Sequence, residues 1–347
     1  MNEVSPGIFR LQVPIPNNPL EYTNVYLVRG DGRGAGRRGG RYLLVDVGMD
    51  TDEAFAALER QLGEIGAAFT AISQIVVTHA HMDHYGLAGR VKDLSGATLA
   101  LHRIESESFA TGRGGPGSAM FEQFERWLRA NGFPLAELAQ PHPGPAQGHR
   151  RFDKLATPDV ILEDGDEVTA GDFLFRVIWT PGHAPGHVCL FDARHRVLLA
   201  GDHVLPVTTP NVSLRSPDGS PLSDFITSLK KVRDLDVGLI LPAHEQSFTD
   251  LRGRIDELLR HHRQRLDEVL ATLADGPVTA YQVSSGVTWM PETGGARFES
   301  LPYWDRRMAV GETLAHLEAL RVEGAVEKIE RAGVTYYRRT AGGKAGV

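Results

Sequence analysis

Thr78-His79-Ala80-His81-Met82-Asp83-His84 puts four metal-binding side chains within six residues, directly after the apolar run Ile75-Val76-Val77, and it constrains the chain more tightly than any other stretch. The run before it is short and β-branched, which predicts a buried strand. Tyr85 to Leu94 has helical spacing, with Leu87, Val91 and Leu94 on one face. The four side chains therefore sit where a strand gives way to a helix. In an extended loop His79 and His81 project to the same side, so two imidazoles can hold one ion while Asp83 and His84 turn toward a second. One ion or two is left open at this point. With 14 histidines in 347 residues, a bare His-x-His arises by chance about half the time, but adding Asp and His at the next fixed places lowers the expectation to the order of one in a thousand.

Around this motif the chain alternates strands and helices. Ile8 to Val13, Asn24 to Val28 and Tyr42 to Val47 read as strands of an antiparallel meander. The Gly- and Arg-rich stretch Gly30 to Arg41 is either an anion-binding loop or, as its composition favours, a solvated hairpin connection. Thr51 opens a helix whose stripe is Phe55, Leu58, Leu62 and Ile65. After a strand from Ala97 to His102, residues 105 to 151 look inserted; Phe121, Phe124 and Trp127 there either wall a substrate pocket or bury one another, and both readings stand. Strands return between residues 159 and 203. His183 lies in Pro181-Gly182-His183-Ala184-Pro185-Gly186-His187 after one of them, Asp202 in Gly201-Asp202-His203 after another, and His244 in Pro242-Ala243-His244-Glu245 after the short strand Leu239-Ile240-Leu241. All the candidate ligands thus fall in loops at strand ends, where an α/β sandwich presents its sites. Near Leu251 the pattern becomes a long amphipathic helix, then two further helical stretches and a hairpin around Arg331-Ala332-Gly333, the order of a winged helix. Two domains are expected, residues 1–250 and 251–347.

Composition narrows the function. A formal net charge of -7 gives no general pull toward nucleic acid or an anionic membrane. Cys189 is the single cysteine, so no internal disulfide can form, and it reads as a small buried hydrophobe in the strand Val188-Cys189-Leu190-Phe191. The first residues carry neither a basic n-region nor an apolar h-region, and no apolar run is long enough to span a bilayer. We expect a soluble, cytoplasmic protein.

The succession His-x-His-x-Asp-His, Pro-Gly-His, Gly-Asp and a late His resembles the metallo-β-lactamase superfamily of hydrolases over roughly residues 7 to 250. The resemblance implies an α/β fold, the four-layer αββα sandwich. It also implies two divalent ions: His79, His81 and His183 hold one, Asp83, His84 and His244 the other, and Asp202 bridges them, with Asp83 and Asp202 the catalytic carboxylates. Asp46, in Val45-Asp46-Val47-Gly48, matches the early Asp-x-Gly position that supports the site from behind. Two departures are Ala243 in place of Gly before the last His, and Val47 in place of the usual Thr; neither removes a ligand. The C-terminal part resembles the winged-helix extension of the β-lactamase-like protein 2 relatives, some of which cleave RNA. From Arg252 on, however, 14 Lys and Arg meet 13 Asp and Glu, far from a nucleic-acid footprint. Packing on the catalytic domain, or on a second subunit of a homo-oligomer, is the expected role.

Imidazole suits zinc or iron, and a bridging carboxylate lets two divalent ions share a site. Zinc is the expected metal, with iron or manganese as alternatives. Such a pair lowers the pKa of a bridging water toward roughly 7 and polarises the bond under attack, which is hydrolysis. The acidic chain and the aromatic insertion favour a small acyl substrate, a thioester, ester or lactone, over a polyanion. A phosphodiesterase or endoribonuclease comes second, a mononuclear-iron sulfur dioxygenase third, and a regulator built on a retired hydrolase is the non-enzyme rival. Of the remaining polar residues, His187 and His203 are expected to brace ligands rather than bind metal, and Tyr85 to pack rather than to donate to an oxyanion.

Overall fold

The structure, a computed structural model, describes residues 2–30, 42–110, 119–138, 156–214, 219–274, 276–289 and 294–342. The chain divides into two compact units. The first comprises Met1–Gly114, Pro143–Val207 and Asp234–Leu251, the second Gly115–His142, Thr208–Arg233 and Arg252–Val347. The expected boundary at residue 250 is therefore too simple. The start of the last segment agrees with it, but the helices at 119–138 and 221–232 make most of their contacts with C-terminal elements, which sequence order alone does not reveal.

Two sheets build the first unit. One runs β1 (Asn2–Ser5), β2 (Ile8–Pro14), β3 (Tyr22–Arg29), β4 (Tyr42–Val45), β5 (Ile72–Val76), β6 (Thr98–His102) and β7 (Val160–Leu162) in spatial order. It begins as the expected antiparallel meander and becomes parallel from β4 onward. The other sheet contains β8 (Glu167–Ala170), β9 (Phe173–Trp179), β10 (Val188–Asp192), β11 (Val197–Gly201) and β12 (Leu239–Pro242), with only β11 and β12 parallel. Alternation along the strands sends Tyr26, Leu43, Val45 and Val76 from one sheet toward Phe175, Val177, Val188, Leu190 and Leu199 of the other, forming a dry core between them. Each such aliphatic or aromatic side chain stabilises the sandwich by about 1.5–3 kcal/mol. The opposite residues of the first sheet, among them Leu11, Val25, Leu27, Leu44 and Ile75, meet α1 (Asp52–Ile65) and α3 (Ala88–Ser95).

Helix α1 starts as the sequence predicts. Thr51 is its N-cap and accepts a hydrogen bond from Ala54 N at 3.0 Å, a cap worth about 1 kcal/mol. The helix expected from Tyr85 begins slightly later, as α3 with Leu87 at its N-cap, and a separate short helix α2 (Met82–Tyr85) precedes it. Leu87 and Val91 are buried, whereas Leu94 is 48% exposed. Helix α4 (Arg103–Ala110) follows β6 directly. Cys189 is buried in β10, as anticipated. The stretch from 31 to 41 and the prolines at 141, 143 and 145 lie outside the described residues.

The second unit contains α5 (Ala119–Ala130), α6 (Leu135–Leu138), α7 (Pro221–Val232), α8 (Leu251–Thr272), α9 (Ala280–Ser285) and α10 (Tyr303–Val322), closed by the antiparallel hairpin β13 (Val326–Arg331) and β14 (Val334–Arg339). Helix α10 is buried through most of its length and packs on α7, α9 and β13. Phe124 and Trp127, half-buried on α5, lie with ring centroids 5.8 Å apart, and the fully buried Arg307 of α10 stands over the Phe124 ring. This favours the packing role for the inserted aromatics over the pocket wall; the side chain of Phe121 is outside the described residues. Among the described residues no helix is long and apolar enough to cross a membrane.

Candidate metal centre

Every predicted ligand sits where its strand ends. The loop after β5 supplies His79 and His81, the short helix α2 that follows it supplies Asp83 and His84, the loop after β9 supplies His183, and β11 and β12 are followed by Asp202 and His244. The seven side chains gather into two groups: His79, His81, His183 and Asp202 in one, Asp83, His84 and His244 in the other. His81 Nδ1 is 2.9 Å from His79 Nε2 and 2.9 Å from His183 Nε2. Ring nitrogens this close need a proton or a cation between them. Asp202 stands between the groups, with Oδ2 3.3 Å from His183 Nε2 and 3.5 Å from His84 Nε2, and Oδ1 3.3 Å from His244 Nε2.

The backs of the rings are held by the protein. His84 Nδ1 lies 2.9 Å from Asp46 Oδ2, and Asp46 accepts from Thr78 N at 2.8 Å. His244 Nδ1 lies 3.0 Å from the carbonyl of Tyr22, an obligatory acceptor, so Nδ1 carries a proton and Nε2 is the nitrogen that faces the site. Asn24 Nδ2 bonds the carbonyls of Pro242 and Glu245 on either side of His244, fixing that loop. Such carboxylate or carbonyl partners set tautomer and orientation in metal-binding histidines.

The site fits divalent cations on its own chemistry. His84 Nε2, His244 Nε2 and Asp202 Oδ1 are buried and make no hydrogen bond among the described residues, although each points at the others' groups; an ion is what satisfies such atoms. The donor set is imidazole and carboxylate without thiolate, which suits zinc, iron or manganese in an open site. Electrostatics agree. Burial opposes charge on Asp202, yet the rings of His244 and His84 hold its carboxyl well below the usual range. Burial also opposes protonation of His244, but Asp202 and Asp83 push its pKa up to about 10. These negative carboxylates are available to a cation that displaces the protons.

His187 belongs to neither group. Asp202 N donates to its Nε2 at 3.1 Å, so its proton lies on Nδ1, 2.8 Å from Thr180 Oγ1. Burial, then the neighbouring His203, keeps this ring far below its ordinary pKa and neutral. Gly201, at φ +52, leaves room for it: a Cβ there would lie 2.5 Å from His187 Nε2. His203 is buried, with its ring centroid 6.0 Å from that of His187. The Tyr85 hydroxyl donates to the carbonyl of Ala156, so it packs, as expected, and is not aimed at a reacting oxygen. Sequence reasoning missed Glu105, whose buried carboxylate bonds Gly186 N and Ala80 N in the two histidine loops. The available signal was its place just after β6, the parallel neighbour of the strand that leads into the motif.

With this geometry in hand, similarity to known proteins is informative. The YqjP protein of Bacillus subtilis, described as a probable metallo-hydrolase, is 26% identical over 90% of this chain and 92% of its own length. The crystal structure of the metallo-β-lactamase family protein TTHA1429 from Thermus thermophilus is similar with a TM-score of 0.76 and 36% identity, covering 97% of this chain and all 100% of that one. The human acyl-coenzyme A thioesterase MBLAC2 is 30% identical over 180 residues, 50% of this chain and 56% of that protein. The family model of the metallo-β-lactamase superfamily matches residues 18–244, a span that takes in both ligand groups. The chain belongs to the metallo-β-lactamase superfamily, whose members are generally metal-dependent hydrolases.

Proposed function

We propose that the protein is a dinuclear metal-dependent hydrolase of acyl bonds, with a thioester the favoured substrate. The observation that carries the reading is the position of Asp202, whose two carboxylate oxygens face His183 and His84 on one side and His244 on the other. A carboxylate so placed can be shared by both ligand groups. His79, His81 and His183 would hold one ion, Asp83, His84 and His244 the second, and Asp202 both. Bound there, divalent ions supply hydroxide at neutral pH and polarise the scissile carbonyl. The chain's own part is to fix the donors. Asp46 and Tyr22 O orient His84 and His244, and His187 anchors the backbone that carries Asp202.

Support for acyl over phosphoryl substrates comes from the thioesterase activity in the name of the human relative and from the near balance of charge beyond Arg252. We read the helices α8 to α10 with the β13–β14 hairpin as a winged-helix-like element that packs or dimerises rather than binds nucleic acid. The test is hydrolysis by zinc-loaded protein of acyl-coenzyme A thioesters, lactones, phosphodiesters and RNA side by side. Thioester turnover is expected. Exclusive cleavage of phosphodiesters or RNA, with binding that weakens steeply as salt rises, would overturn the substrate assignment, and oxygen uptake with a sulfur substrate would overturn hydrolysis.

A further inference from the structure

Helix α4 begins immediately after His102, and its third residue, Glu105, is 6% exposed although it carries a carboxylate. A buried carboxylate is costly unless hydrogen bonds satisfy it. Here Oε1 accepts from Gly186 N at 2.7 Å and Oε2 accepts from Ala80 N at 3.2 Å. The two amides belong to different loops. Ala80 lies between His79 and His81, and Gly186 lies between His183 and His187. The contact is built rather than incidental, because Gly186 has to be glycine: a Cβ there would sit 2.7 Å from Glu105 Cγ and 3.0 Å from His102 Nδ1. His102 in turn stacks on Trp179 with centroids 5.6 Å apart and planes at 6°, and Trp179 Nε1 donates to the carbonyl of Pro185 at 2.9 Å. The far side of the 181–186 loop is thereby fixed as well.

We propose that Glu105 is a positioning residue of the metal centre, its carboxylate clamping the His79/His81 loop of the first sheet to the His183 loop of the second so that the three rings converge. The inference rests on the reading that these rings hold an ion. Each carboxylate oxygen serves one loop, so the clamp adds to the backbone hydrogen bond from Val188 N to the carbonyl of Thr78, 2.9 Å, that joins the same two segments. A glutamine in its place keeps the shape and one acceptor but turns an amide NH₂ toward a backbone N–H, so it preserves one bond and breaks the other.

The experiment is competition between a chromophoric chelator and metal-stripped, full-length protein for zinc, repeated with Glu105→Ala, Glu105→Gln and His183→Ala, together with the visible spectrum of the cobalt forms. Loss of outer partners of metal-binding groups typically lowers affinity 10- to 100-fold. We expect Glu105→Ala to fall in that range, Glu105→Gln to lie between it and the unaltered protein, and the cobalt bands to move in both variants. A purely structural role would lower the melting temperature of the metal-free chain while leaving affinity and cobalt spectrum unchanged, and that result overturns the proposal. If Glu105→Ala does not fold, an unaltered affinity and spectrum in Glu105→Gln overturns it equally. If His183→Ala binds zinc as tightly as the unaltered protein, the metal reading itself fails, and the clamp with it.

Discussion

His84 Nδ1 and Asp46 Oδ2 lie 2.9 Å apart, both fully or almost fully buried. Asp46 occupies a left-handed backbone conformation, at φ +61, directly beyond β4. It is there to reach two neighbours, the His84 ring and the Thr78 amide that begins the ligand loop. Asparagine tolerates the same backbone but lacks the charge. Asp46→Asn is therefore expected to weaken zinc binding by roughly 10- to 100-fold while the chain stays folded. Chelator competition checks the first expectation and circular dichroism the second; undiminished affinity would show that the carboxylate does not tune the ring.

Replacing Asp202 is expected to do more. Asp202→Asn keeps the shape but removes the charge shared by both ligand groups, so hydrolysis is expected to fall by at least about 100-fold with loss of bound metal. The His187 ring bonds the amide of Asp202 and Thr180 Oγ1 and packs beside the His79 ring, centroids 5.1 Å apart, without joining either ligand group, so His187→Asn is expected to leave metal content largely intact. Metal analysis and turnover of the two variants beside the unaltered protein decide this. A metal-replete Asp202 variant with near-normal turnover would refute the assignment of a bridge.

Chelation is expected to abolish activity and to lower the melting temperature, and zinc should restore both, since a ligand of the folded state stabilises it by mass action. Elemental analysis of replete protein is expected to give about two ions per chain. A ceiling of one under replete conditions would leave only one of the two groups functional.

Acid stability should carry the signature of a buried histidine in the second unit. Burial pushes the pKa of His316 down to about 3, and burial followed by the nearby His316 holds His262 well below its ordinary value. A group depressed on folding takes up its proton in the unfolded chain first. Its neutral form thus costs nothing above about pH 6.5, and stability is lost as pH falls from there toward about 3 for His316. In metal-stripped protein, His316→Gln is expected to reduce the slope of stability against pH in that window by about 1.4 kcal/mol per pH unit, the equivalent of one proton. Denaturant melts at several pH values measure it, and parallel slopes would mean that His316 titrates normally.

How much of this was legible depended on distance along the chain. Thr51 as a cap and the His79-to-His84 run were readable because the physics is local: a hydroxyl three residues from an amide, or ligands at fixed spacing in one loop. His183, Asp202 and His244 were readable only through their order, since spacing cannot say that three loops meet. Leu94 shares the helical phase of Leu87 and Val91 but sits in the last turn of α3, where spacing alone does not say that the core still reaches it. The start of the last segment was legible near Leu251, but that α5 and α7 group with it was not, because their partners lie far along the chain. Glu105 was invisible for the same reason: its partners, Ala80 and Gly186, lie 25 and 81 residues away.

The division of ligands between sheets has a thermodynamic consequence. His79, His81, Asp83 and His84 follow a strand of one sheet, and His183, Asp202 and His244 follow strands of the other. On the proposed assignment each ion would draw donors from both sheets, so its affinity would depend on the hydrophobic layer between them staying closed. A cavity-forming change in that layer, such as Leu190→Ala, which removes no donor atom, would then loosen the metal as well as the fold, and bound metal would in return resist the parting of the sheets. Occupancy at the rim becomes a reporter of the state of the interior.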